Sequence, residues 1–141
     1  MEIIRRIFGI CRTGKPLNTG CWKYDEGRVE VDLAQTPELS APGGAIRLEG
    51  KPLPGKRILL LHGEDGNYHA CLNRCTHLGH RRLDPLADGD EGEGRIRCCS
   101  VGKSTFDYQG RVVSGTAEEP LTVLTVELED GSLRIHLDGC E

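Results

Sequence analysis

From Val123 to Leu137 the chain has the pattern of a β-hairpin and of little else. Leu124, Val126 and Leu128 share one face of the first half, Asp130-Gly131 interrupts it, and Leu133, Ile135 and Leu137 answer on the return. Strict alternation puts every apolar side chain on one side of a strand, and a two-residue Asp-Gly connection joins antiparallel strands without splaying them. The same period recurs upstream. Arg28 to Leu33 alternates with Val29, Val31 and Leu33 inward, Ala45 to Leu48 resumes extended structure, and Arg57 to His62 is apolar enough for a buried strand. Gly63 to Asn67 turns that strand back as Tyr68 to Leu72. No long segment keeps a helical period, and 19 glycines, 7 prolines and 4% aromatic residues suit many short strands joined by turns. The expectation is an all-β, antiparallel sandwich or barrel.

With 141 residues there is room for one domain with a real core and an appendage. Residues 1–27 read as an N-terminal arm and residues 28–141 as the domain. In the arm, Ile3, Ile4, Ile7, Phe8 and Ile10 suit a short helix or an extended segment that Gly14, Pro16, Asn18 and Gly20 terminate. Cys11, Cys21 and Trp22 either pin that arm onto the domain as core residues or bring a cysteine to a site elsewhere. The first residues lack the continuous apolar run and small-residue cleavage site of an export signal. No stretch approaches the ~18 apolar residues of a membrane helix. The chain reads as cytoplasmic.

A net charge of −4 gives no electrostatic reason to bind nucleic acid, which clustered Lys and Arg recognise. A basic-surfaced protein partner suits it better. The acidic, Gly-rich run from Ala87 to Gly94 lacks the residue order of a calcium loop and reads as a solvated excursion.

Chemistry concentrates in two places. Cys75-Thr76-His77-Leu78-Gly79 sets a thiolate and an imidazole one residue apart in a Gly-bounded loop that leaves an apolar strand. Cys98-Cys99-Ser100-Val101-Gly102 follows a second strand from Arg95, and Lys103 to Tyr108 returns from it. Gln109-Gly110 then turns the chain, and Arg111 to Val113 pairs back. Seven cysteines are an odd count for a disulfide framework, and without an export signal they point to metal ligation in a reducing compartment. Thiolates with imidazole suit iron-sulfur chemistry. His62, His69 and Cys71 lie on the neighbouring strands and read as hydrogen-bonded or core residues rather than ligands.

Asn73 to Gly79, followed by a polar insert and then Cys98 to Asp107, resembles the Rieske [2Fe-2S] domain, and by strand order the likeness runs from about Val29 to Leu137. That family carries Cys-x-His-x-Gly in one loop and Cys-Pro-x-His-Gly, followed by an aromatic residue and often Asp, in the other. The resemblance implies a small cluster-binding subdomain of two loops, 73–82 and 95–108. In it Cys75 and one of Cys98 or Cys99 would hold the buried iron, and His77 the outer one. Where the family has its second histidine this chain has Val101 or Gly102, depending on which cysteine is matched, and neither binds metal.

The fourth ligand is therefore open among the other member of the Cys98-Cys99 pair, Cys11 or Cys21 from the arm, His80, and none at all. Neighbouring side chains on a strand point to opposite faces, so Cys98 and Cys99 can share a cluster only if the backbone turns there. The expected set is Cys75, His77, Cys98 and Cys99 around a [2Fe-2S] cluster. Three thiolates and one imidazole would lower the potential below two-histidine centres, which span roughly −150 to +300 mV. Phe106, at the family's aromatic position, has no hydroxyl to donate and pushes the same way. A small electron carrier or redox sensor working with a redox partner protein is the implied function, with no catalytic domain attached. The alternative is the same frame kept for zinc, for which three cysteines and a histidine are also a standard set, or for binding without a cluster.

Overall fold

The structure, a computed structural model, describes residues 13–50, 53–74, 83–85, 94–98, 104–115 and 119–137. Among the described residues eleven strands form two antiparallel sheets. In chain order they are β1 (Trp22–Asp25), β2 (Arg28–Asp32), β3 (Ala45–Gly50), β4 (Leu53–His62), β5 (Tyr68–Leu72), β6 (Leu83–Pro85), β7 (Arg95–Cys98), β8 (Thr105–Asp107), β9 (Val112–Ser114), β10 (Val123–Glu129) and β11 (Ser132–His136). The large sheet runs β1-β2-β11-β10-β5-β4-β3 and the small one β6-β7-β8-β9.

Two tight turns set the register of the large sheet. Asp130 and Gly131 both have positive φ, as do Glu26 and Gly27, which is the geometry of a two-residue hairpin turn matched to strand twist. The first gives the expected pairing of β10 with β11, Val126 opposite Ile135 and Leu128 opposite Leu133. The second adds β1, so the sheet begins at Trp22, inside the stretch read from sequence as arm. Asp32 ends β2 because its Oδ1 accepts the Ala34 amide at 3.0 Å, which turns Leu33–Gln35 into a 3-10 turn in place of a sixth strand residue.

A flat sheet would hold β2 and β3 five strand spacings, about 24 Å, apart. Their inward residues Val29, Val31, Ile46 and Leu48 nevertheless pack in one core with Ile58, Leu60, Leu133 and Ile135, so the sheet curls on itself. The far end of the last hairpin escapes it. Strand β5 pairs with β10 only at Val123 and Leu124, and Leu128, expected to face inward, is 60% exposed.

The run Ile58-Leu59-Leu60-Leu61 is apolar throughout because β4 is covered on both faces. Ile58 and Leu60 enter the first core; Leu59 and Leu61 enter a second, with Cys71 of β5 and Leu83, Ile96, Cys98, Phe106, Tyr108 and Leu121 from the small-sheet side. The small sheet is thus laid on the outer face of β4 and β5. Tyr108 latches it there, accepting the Glu64 amide on its hydroxyl at 3.1 Å and stacking on His69 with ring centroids 4.4 Å apart.

Candidate metal centre

Two loops leave the same end of the small sheet. Leu83 opens β6 and Cys98 closes β7, and the two residues are direct partners in the antiparallel ladder. The first loop therefore returns to the sheet opposite the point where the second departs. Each neck is tied by a hydrogen bond. Asn73 Oδ1 accepts the Leu83 amide at 2.8 Å across the mouth of the first, and the Cys98 amide donates to the Ser104 carbonyl at 2.8 Å across the mouth of the second. Asn73 is held from behind by its own amide, which donates to the Arg57 carbonyl of β4 at 2.8 Å.

Of the four expected ligands, Cys98 lies among the described residues; Cys75, His77 and Cys99 lie outside them, as do His80, Cys11, Val101, Gly102, Cys140 and the acidic run before Gly94. Cys98 shares the inward face of β7 with Ile96 and is 1% exposed, its side chain in the second core with Leu83 and Phe106. Cys98 thus presents its thiol to this apolar core at the strand end from which the second loop departs.

The described part of the arm starts beside this region. The Thr13 amide donates to Asp84 Oδ1 of β6 at 2.8 Å, and the Gly14 carbonyl accepts the Arg47 amide of β3 at 2.9 Å, so the chain bridges the two sheets just after Cys11. Cys21 is buried elsewhere, in a 3-10 turn at Thr19–Cys21 next to β1, and takes no part in the second core.

The other sulfur and imidazole groups have structural partners. Cys71 is buried in the second core, and loss of solvent pushes its thiol up to about 12, which keeps it protonated and unreactive. His62 Nδ1 lies 3.0 Å from the Leu39 carbonyl and its ring stacks on Tyr68. His69 Nε2 lies 2.8 Å from Asp65 Oδ2. Among the described residues no group of three His, Cys, Asp or Glu side chains is arranged for a metal ion.

Asp107 organises the return from the second loop. Its Oδ1 accepts the amides of Gln109 and Arg111 at 3.0 and 2.9 Å, and its Oδ2 takes the Arg111 Nε at 2.7 Å. Partial burial alone would raise this carboxyl, but those hydrogen bonds and the guanidinium outweigh it and hold it below the ordinary carboxylate value. Asn73 and Asp84, which tie the neck and the arm beside this region, are residues whose roles the sequence pattern did not single out. Each acts through a partner distant in sequence, Leu83 for one and Thr13 for the other.

Known proteins point the same way. The sequence matches the Rieske [2Fe-2S] domain over residues 29–127, most of the chain. It is 31% identical over 111 residues to the cytochrome b6-f complex iron-sulfur subunit of Chlorobaculum tepidum, a match that takes in 78% of this chain and spans 56% of that relative's length. Among solved structures, the fold is shared with a chain from the complex of reduced oxygenase and oxidized ferredoxin in carbazole 1,9a-dioxygenase (TM-score 0.60, 20% identity, 79% of this chain and 94% of that one). It is also shared with the ferredoxin of carbazole 1,9a-dioxygenase from Nocardioides aromaticivorans (TM-score 0.57, 17% identity, 75% and 92%). A quaternary ammonium Rieske monooxygenase contains it as a part (TM-score 0.52, 22% identity, 74% of this chain and 29% of that one). The sequence match over residues 29–127 and the two loop necks at one end of a small antiparallel sheet together make this chain a member of the Rieske [2Fe-2S] domain family.

Proposed function

We propose that the chain is a small electron carrier whose [2Fe-2S] cluster is held by Cys75, His77, Cys98 and Cys99, at low potential, and which exchanges electrons with a protein redox partner. The observation that supports this reading is the apposition of the two loop necks, Leu83 opposite Cys98, with Cys98 buried in the second core at the end of β7. The donor chemistry fits the group. Thiolates stabilise iron in a dry setting, and the wall behind Cys98 is built of Leu83, Ile96 and Phe106. When bound, the cluster supplies one-electron chemistry.

The chain's own residues set the conditions for it. Phe106 is fully buried and has no hydroxyl to donate toward sulfur, so it excludes water without stabilising the reduced state. A third thiolate in place of the family's second imidazole adds negative charge and lowers the potential. Cys98 ends β7, its amide bonded to the Ser104 carbonyl, and a turn of the backbone beyond that point would be needed to bring Cys99 to the same cluster. The carbazole dioxygenase ferredoxins that share the fold are named for their oxygenase system, and a reductase or oxidoreductase partner is the corresponding expectation here. No helix among the described residues is long and apolar enough to cross a membrane, and a reducing, cytoplasmic setting fits the cysteine usage.

Anaerobic visible and electron paramagnetic resonance spectra, with iron, zinc and sulfide analysis on the same sample, test this. Two irons and two sulfides per chain and a signal on reduction are expected, and Cys98→Ser and Cys99→Ser, made separately, should each abolish that spectrum. If one variant keeps it, the pair supplies a single ligand. A colourless chain that resists reconstitution, or one filled with zinc, would end the electron-transfer reading.

A further inference from the structure

Asn73 carries an unanswered hydrogen-bond donor. It is fully buried, and its Oδ1 is committed to the Leu83 amide at 2.8 Å. An amide N–H only donates, so this bond fixes which end of the carboxamide is oxygen and which is nitrogen. Nδ2 is then a buried donor, and among the described residues no group accepts from it. Buried donors in native proteins are met by an acceptor, and one left without is destabilising. The place is specific. Asn73 stands two residues before Cys75, its carboxamide spans the neck of the first loop, and the residue it holds, Leu83, is the ladder partner of Cys98.

We propose that Nδ2 of Asn73 donates an N–H···S hydrogen bond to a sulfur of the cluster, either a bridging sulfide or a ligand thiolate, and thereby raises its reduction potential. The inference rests on the cluster reading above. Reduction adds negative charge to the sulfurs, so a donor fixed beside them favours the reduced state. Asn73 thus opposes the third thiolate by direct contact with the cluster: one lowers the potential, the other limits how far it falls. The carboxamide suits the role because its oxygen is locked to Leu83 and its nitrogen cannot turn away.

The test uses the reduced holoprotein labelled with ¹⁵N in the asparagine side chains. The chain has three asparagines, Asn18, Asn67 and Asn73, and the first two are exposed in the large-sheet region. Pulsed electron paramagnetic resonance should detect ¹⁵N coupled to the cluster, and Asn73→Leu should remove that coupling. The same variant should shift the one-electron equilibrium toward the oxidised state by about tenfold, about 59 mV. If Asn73→Leu fails to load, the coupling in the wild-type protein decides alone. A paramagnetic cluster without ¹⁵N coupling would overturn the inference and leave the cluster reading intact, with Asn73 reduced to closing the loop. A chain that takes up no cluster would remove both.

Discussion

The two sheets are built on opposite plans. The large sheet has strands of four to ten residues, two of its hairpins turn in two residues, and its core is drawn largely from alternation on β2, β3 and β11 with Leu124 of β10. The small sheet has strands of three or four residues, is covered on one side by the outer face of β4 and β5, and ends in polar necks tied by single hydrogen bonds. Among the described residues the first core is the larger of the two, and on that ground the large sheet is expected to fold without a bound group. The second has less to bury and ends at the two loop necks, so the expectation that follows from the proposed site is that part of its order depends on the bound cluster. The family frame is thus a self-sufficient base carrying a site that is completed by its cofactor.

The sharpest way to break that division is to remove a comparable side chain from each core. Phe106 and Leu133 are both fully buried, one under the small sheet and one inside the large. Phe106→Ala should cost about 3–5 kcal/mol and also change the visible and paramagnetic spectra, because the wall behind Cys98 loses its aromatic ring. Leu133→Ala should cost about 2–5 kcal/mol and leave both spectra as they are. Denaturant unfolding with spectra on the same samples separates the two, and a cluster signal equally disturbed by Leu133→Ala would show that the sheets are not independent.

A smaller effect tests how dry the seam between them is. The Cys71 thiol, raised by burial from 9.0 to about 12, stays protonated when folded at pH values where the unfolded chain has lost that proton. Stability from this group is complete below the unfolded value and falls as pH rises through the interval, by about 1.4 kcal/mol per pH unit. Urea midpoints of the metal-free protein from neutral into alkaline pH should therefore fall more steeply for the wild type than for Cys71→Ala. Parallel curves would mean that water reaches the seam.

Much of the large sheet was legible because its signals are local. Asp130-Gly131 and the alternation around it specify a hairpin without knowledge of the rest of the chain, and Ile58 to Leu61 announces a strand buried on both faces. The turn at Glu26-Gly27 escaped because Glu is an unusual residue at positive φ, which left Trp22–Asp25 looking like arm. At the site, the Cys-x-His and Cys-Cys pairs were visible as chemistry, whereas Asn73 and Asp84 were not. A buried carboxamide near a ligand looks like any polar loop residue until Leu83, ten positions on, is seen to donate to it, and Thr13 reaches Asp84 across 71 positions. Such partners belong to the assembled fold, and no local pattern encodes them.

The smallest expected effect is the cleanest control on the comparison. Gly131 has φ +77° in the turn between β10 and β11, and a methyl group added there would meet nothing within 4 Å. Gly131→Ala therefore adds no clash, and its cost is that of holding an L-residue in the left-handed region, about 1 kcal/mol. The denaturation midpoint should fall with an unchanged dependence on denaturant, since the surface exposed on unfolding is the same. The reduction potential should not move, because this turn belongs to the self-sufficient base and touches neither the seam nor the necks. A shift in potential would mean that strain at the hairpin travels through β5, the strand that both pairs with β10 and contributes Cys71 to the second core. In that case the two sheets form one mechanical unit, and the potential is a property of the whole fold rather than of the small sheet.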